Sequence, residues 1–209
     1  MTKHRLELFS DGVFAIVLTL LVLDLRVPPS HGLGGLIEII PALVVHAASF
    51  FIVGVLWLQH HGALARVMDV RFRTLLLNLL FLFWITLIPF AAKVAAERPL
   101  EALGASLISG VTGMSFLALL LTRLTAHSAL DDNPRLAAWR RGRIVMLSAL
   151  ILMDLICAVG AWMTPWLSYA AAVGSMAWAL ALPTPPDVEQ RLSARLPEPT
   201  KRDRRSVRF

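Results

Sequence analysis

Six long apolar runs follow one another along this 209-residue chain, at roughly 6–25, 36–58, 72–95, 102–125, 142–163 and 166–182, with short polar connections between them. Each lies near the ~20 residues that a helix needs to cross a bilayer, the last being the shortest. Inside hydrocarbon the backbone must satisfy its own hydrogen bonds, so runs of this length dictate α-helices. The expected fold is all-α: one polytopic membrane domain of six transmembrane helices over residues 1–182. Composition agrees, with 57% hydrophobic and 16% charged residues, against roughly 45–50% and 25% in an average soluble chain. After Pro183-Thr184-Pro185-Pro186 the apolar content collapses, and residues 183–209 read as a basic, disordered cytoplasmic tail.

The net charge of +6 does not indicate nucleic acid, because the basic residues are confined to the connections and the tail. Across six spans, Lys3, Arg5, Arg66, Arg71, Arg73, Arg123, Arg135, Arg140, Arg141, Arg143 and the tail fall on one side. Only Arg26, Lys93 and Arg98 fall on the other. Cytoplasmic loops carry the excess of Lys and Arg, so both termini are expected in the cytoplasm and the chain in the cell (inner) membrane. The start mimics a signal peptide, but no small-residue cleavage site precedes Pro28-Pro29, and the run is read as retained. Cys157 is the single cysteine and rules out a disulfide framework within one chain.

The first run, Arg5-Leu6-Glu7-Leu8-Phe9-Ser10-Asp11-Gly12-Val13-Phe14-Ala15-Ile16, carries a hydroxyl and a carboxylate where an inert anchor would carry neither. Ionisable residues in membrane segments are expensive and mark function or a specific partner. At 100° per residue, Ile16, Leu20 and Leu23 form one aliphatic line, continued backwards by Gly12, Phe9 and Arg5. Thr19 flanks it, and Ser10 and Asp11 lie more than 100° away on either side. The Ser10–Asp11 side is expected to face protein, leaving the stripe to face lipid, another helix or a central axis. Candidate partners for Asp11 at similar depth are Arg5, His60, His61 beyond Trp57, and Asn78. Adjacent histidines on a helix diverge by about 100°, which argues against a metal pair at His60-His61.

Further along, Gly104, Ser106, Ser109, Gly110 and Gly113 form a run of small residues suited to close helix packing, within the chain or between subunits. Asp154 is a second intramembrane acid, with no evident basic partner. Trp162, Trp166 and Trp178 suit anchoring at the membrane interface.

At Arg5-x-x-x-Phe9-Ser10-Asp11 the chain resembles the TMEM175 family of potassium channels. Gly12-Val13-Phe14-Ala15-Ile16, the Leu23-Asp24-Leu25-Arg26-Val27-Pro28 ending, Trp57 with His60-His61, Asn78 and Pro89-Phe90 extend the likeness over the first three runs. The resemblance implies a single-repeat, prokaryotic-type member, homotetrameric, with the first helices lining a central pore. No Thr-Val-Gly-Tyr-Gly filter is present, in keeping with that family. Carried over from the Phe-Ser-Asp motif, the constriction falls on Ile16, Leu20 and Leu23, with Thr19 as the hydroxyl beside it. Asp24 would stand at the outer mouth, opposed by Arg26. The implied activity is a modestly potassium-over-sodium selective cation channel, with permeant potassium as the only ligand and no cofactor or metal. Its partners would be its own copies and lipid, and no enzymatic role is expected. The alternative is a proton-coupled secondary transporter using Asp11, Asp154 and the histidines, against which no inverted repeat between 1–95 and 96–182 is visible.

Overall fold

The computed structural model describes residues 2–23, 25–64, 67, 70–125 and 134–181, of which 134–140 by backbone alone. Within them the chain is helical, in the order α1 (Lys3–Leu23), α2 (Leu33–Leu64), α3 (Phe72–Thr86), α4 (Ile88–Glu97), α5 (Ala102–Thr125), α6 (Pro134–Gly160) and α7 (Pro165–Ala181). Among the described residues, five helical stretches are long and apolar enough to cross a membrane, with α3 and α4 together forming one of them, Phe72–Glu97. The sixth expected span coincides with α7, which has 17 residues. Residues 183–209 and Asp24 lie outside the described residues.

The third run, expected as one helix, is broken at Leu87. Pro89 brings no N–H, and its ring collides with the carbonyl four residues back, that of Ile85. The chain tightens instead: the Leu87 N–H donates to Trp84 O at 3.2 Å, and α4 restarts with the proline in its first turn. Pro41, by contrast, sits inside α2, which runs for 32 residues. At 1.5 Å per residue that is about 48 Å, so α2 is either tilted or longer than the ~30 Å hydrocarbon layer.

Helix α5 is the centre of the bundle. It packs against α2, α3, α4, α6 and α7, and two thirds of its most apolar stretch is buried. Small residues allow this close approach. A Cβ at Gly104 would stand 2.7 Å from Ala95 Cα, and one at Gly113 would stand 3.0 Å from Asp154 Cβ. Ser106 Oγ donates to Ala158 O at 2.7 Å, and Ser109 Oγ to Ser168 O at 2.8 Å. Of the two readings of this small-residue run, packing within the chain is thus the one the contacts support. In lipid, van der Waals contact and interhelical hydrogen bonds of this kind replace the hydrophobic effect as the force between helices.

Helices α6 and α7 form the hairpin expected at Thr164-Pro165. The turn closes through Thr164 N–H to Gly160 O at 3.0 Å, and Ser168 Oγ donates across it to Cys157 O. Trp162, Trp166 and Trp178 are exposed.

The two ends of the bundle differ in chemistry. At one end lie Arg26 paired with Glu97 (3.2 Å), Arg98 with Glu101 (3.1 Å), and Ser30 bonded to Glu38. At the other lie the start of α1, the end of α2 and the side chains of Arg123 and Arg143.

The first helix and its polar anchor

Helix α1 buries Leu6, Ser10, Phe14, Val17 and Leu21, spaced three or four residues apart. These residues share one face, and that face packs on α2, α3 and α4. The aliphatic line lies off it and is bare on the single chain: Ile16 is 60% exposed, Leu20 43% and Leu23 75%. Phe9 and Arg5 are exposed on the same line. Thr19 is exposed too, and its hydroxyl turns back to Ile16 O at 2.8 Å.

Ser10 is fully buried and belongs to a relay through three helices. His60 Nε2 of α2 meets Asn78 Oδ1 of α3 at 2.7 Å, and Asn78 Nδ2 meets Ser10 Oγ at 3.1 Å. Ser10 Oγ meets the backbone oxygen of Leu6 at 2.9 Å. The last contact sets the direction of all the others. A carbonyl only accepts, so Ser10 donates to Leu6 O and must accept from Asn78. The Asn78 amide then points its oxygen at His60, and His60 carries its proton on Nε2. The relay is closed in by rings: His60 stacks on Phe81 with centroids 4.9 Å apart and 6° between planes, and Phe14 stands 5.7 Å from His60. Phe14 follows Ser10 by four residues and Phe81 follows Asn78 by three, so one face of α1 and one face of α3 supply both the polar and the aromatic contacts.

Asp11 does not join this relay. It is exposed on the single chain, and its carboxylate accepts from Trp57 Nε1–H at 2.8 Å. The expectation that Asp11 pairs with Arg5, His60, His61 or Asn78 is therefore corrected: of the polar residues singled out in the sequence, Ser10, His60 and Asn78 form the relay, and Asp11 pairs with Trp57. The reason is angular. Ser10 and Asp11 lie about 100° apart, so only one of them points into the α2–α3 groove. Asp11 reaches the aromatic N–H at its rim. His61, 100° on from His60, lies exposed beside Trp57 with ring centroids 5.8 Å apart.

The sequence reading missed Gln59. It is buried, its Nε2 donates to Ala179 O at 2.8 Å, and its Oε1 accepts from Arg123 (3.2 Å) and Arg143. Arg123 also donates to the backbone oxygen of Gln59 at 2.7 Å. Arg123 and Arg143, counted from sequence as loop charges, are half-buried members of a cluster that joins α2, α5, α6 and α7. An amide at the end of an apolar run, one residue before a buried histidine, was the available signal.

No group of three or more His, Cys, Asp or Glu side chains able to hold a metal occurs among the described residues.

Fold and site together define a class: a multi-pass, all-helical membrane protein whose first helix is anchored by a polar relay on one face and left bare on another. Residues 5–89 match the family described as endosomal/lysosomal potassium channel TMEM175. A protein of Chryseobacterium sp. (strain P1-3) named a potassium channel is 37% identical over 134 residues, 62% of this chain and 70% of that protein. The crystal structure of a lysosomal potassium-selective channel TMEM175 homolog from Chamaesiphon minutus superposes with a TM-score of 0.66 at 26% identity, covering 87% of this chain and 98% of that one. A Gallus gallus protein named an endosomal/lysosomal proton channel is 36% identical over 109 residues, 46% of this chain and 22% of that protein. The chain belongs to the TMEM175 family, as a prokaryotic-type member. That family is one of channels, not of enzymes.

Proposed function

We propose that this chain is a subunit of a homotetrameric, potassium-favouring cation channel in the cell membrane, with six spans, α7 being the sixth, and both termini in the cytoplasm. The first helices surround the axis, and the bare line of Ile16, Leu20 and Leu23 forms the constriction, with Thr19 beside it. The observation that carries this reading is that three aliphatic side chains in register stay exposed on a helix whose neighbouring face is fixed by buried polar contacts. The potassium-channel names of the bacterial relatives supply the ion.

Aliphatic rings offer no oxygen ligands, so an ion crosses them partly hydrated or is stopped by dewetting. Potassium sheds water at less cost than sodium, so such a ring favours it modestly. An amide placed in the ring would substitute for lost water and serve both ions. In proteoliposome flux, Ile16→Asn and Leu20→Asn are expected to raise total cation flux and bring the potassium-over-sodium ratio towards one. An unchanged ratio in both variants would remove the stripe from the filter. Since the vertebrate relatives are named proton channels, the same assay should follow proton flux. Potassium movement down its gradient without obligatory proton movement supports the channel, and strict coupling supports the transporter reading.

A further inference from the structure

We propose that Gly12 opens a water-filled chamber on the cytoplasmic side of the constriction, where a permeant cation recovers its hydration shell. The inference rests on the reading of Ile16, Leu20 and Leu23 as pore-lining, and deepens it by giving a part to a residue with no side chain.

The line that α1 leaves bare runs Arg5, Phe9, Gly12, Ile16, Leu20, Leu23. Phe9 and Ile16, which bracket the glycine, are 49% and 60% exposed. They stand about 10 Å apart along the helix axis, with Gly12 about 6 Å before Ile16. Gly12 is itself exposed, and a Cβ built on it would meet no atom within 4 Å. Packing within the subunit therefore gives no reason for a glycine here. Nor does the backbone, since the one glycine with positive φ among the described residues is Gly32, and α1 runs unbroken from Lys3 to Leu23. Glycine inside a helix costs stability relative to alanine, and nothing in the single chain offsets that cost. By contrast, Gly104 and Gly113 are pressed against α4 and α6. Gly54, Gly62, Gly142 and Gly174 are as uncrowded as Gly12, but none of them lies on α1.

The missing side chain changes what the line presents. A helical side chain leans towards the N-terminus and covers the turn before it. Without one, the carbonyl oxygens of the turn before Gly12 are open to water. Each accepts a helical N–H and keeps a second lone pair. Around a fourfold axis they form a ring of acceptors directly inside the aliphatic rings. An ion that passes Ile16 partly dehydrated regains water there, among oxygens that attract a cation. The hydroxyls of α1 are placed elsewhere: Ser10 is buried in the relay, and Thr19 lies one turn beyond Ile16 and bonds back to it. The chamber thus governs how fast ions pass, and the constriction governs which.

The test is potassium and sodium flux through the full chain in proteoliposomes, with the assembly of each variant read by native mass spectrometry. Gly12→Leu would extend the aliphatic rings by one turn and cover the acceptors. Flux of both ions is expected to fall about tenfold or more, a barrier higher by about 1.4 kcal/mol or more, with the assembly intact. Wild-type flux in Gly12→Leu overturns the chamber. Gly12→Cys is the second variant, and its readout does not depend on flux. Cys157, the single cysteine, is buried, so a charged thiol reagent should leave the wild type unmodified and label the assembled Gly12→Cys protein, counted by mass. An unreactive thiol places the glycine between neighbouring copies and overturns the chamber, and this decides the matter where Gly12→Leu fails to assemble. Leu20→Asn, run alongside, separates this inference from the reading beneath it. A potassium-over-sodium ratio that moves in Leu20→Asn, with wild-type flux in Gly12→Leu, removes the chamber and leaves the constriction. A ratio that moves in neither Ile16→Asn nor Leu20→Asn removes both.

Discussion

The relay from His60 to Leu6 makes a quantitative prediction about how α1 is held. Ser10→Ala removes the acceptor of Asn78 Nδ2 and little else. Interhelical hydrogen bonds in membranes are worth about 0.6 kcal/mol on average and reach about 1.7, and the buried Asn78 N–H left without an acceptor adds at least about 1 kcal/mol, so the expected loss is about 2 kcal/mol. Asn78→Ala removes both relay contacts, at 2.7 and 3.1 Å, and leaves the His60 Nε2–H without an acceptor. Stranding a buried donor costs about 1–3 kcal/mol on top of the lost bond, so the expected loss is about 3 kcal/mol. In the double variant the Ser10–Asn78 bond can be lost only once. Its loss should fall short of the sum by the worth of that bond and of the stranded N–H, about 2 kcal/mol. The assay is reversible unfolding in mixed micelles with increasing dodecyl sulfate, followed by tryptophan fluorescence, on all four proteins of the cycle. Sites without a shared partner add to within about 0.5 kcal/mol. Strict additivity would therefore refute the relay, and so would a Ser10→Ala loss equal to that of Asn78→Ala.

Two further outcomes follow from contacts deeper in the bundle. Gly104→Ala would set a methyl 2.7 Å from the Ala95 backbone, which cannot yield as a side chain can, and is expected to cost about 1–3 kcal/mol in the same assay. Gln59→Leu strips the shared acceptor from Arg123 and Arg143 and the donor from Ala179 O, for a loss of about 2 kcal/mol. Gln59→Glu keeps the acceptor and should be milder, and equal losses for Leu and Glu would mean that the arginines do not depend on Gln59.

Much of this was legible in the sequence, for definite reasons. Apolar runs near 20 residues leave the backbone no choice but helix, so the bundle could be read from them, and Thr164-Pro165 marked the α6–α7 hairpin. The helical wheel separated Ile16, Leu20 and Leu23 from Ser10. What the wheel lacked was the azimuth of the neighbouring helices. It could not decide whether Ser10 or Asp11 enters the α2–α3 groove, and the more polar residue was the natural choice. The outcome was the reverse, because a hydroxyl fits a closed relay while a carboxylate finds an indole N–H at the rim. The break at Leu87 was signalled by Pro89, but Pro41 shows that proline alone does not settle the matter: α2 continues through it. Gln59 escaped notice because its partners, Arg123, Arg143 and Ala179, are 64, 84 and 120 residues away, and nothing local announces them.

The placement of these contacts separates what holds α1 from what α1 presents. Near its start, the helix is fixed by Ser10 to Asn78 and by Asp11 to Trp57. Near its end it is fixed by His46 Nδ1 to Leu21 O at 3.2 Å, and just beyond it by Arg26 to Glu97. Between these ties the buried side is held by Phe14 and Val17, with Val13 and Leu18 packed beside them, while the aliphatic line stays largely bare within the subunit. Thr19 spends its hydroxyl on its own helix. A substitution at Ile16 or Leu20 therefore removes little packing from the single chain, Ile16 being 60% and Leu20 43% exposed, whereas one at the buried Ser10, Asn78 or Gln59 removes more. Variants of the stripe should leave the subunit's unfolding midpoint within about 0.5 kcal/mol of wild type, as surface changes do, while changing what passes through the assembly. A stripe variant that unfolded the subunit would show that these side chains are packed inside it, and the constriction would have to be sought on another face of α1.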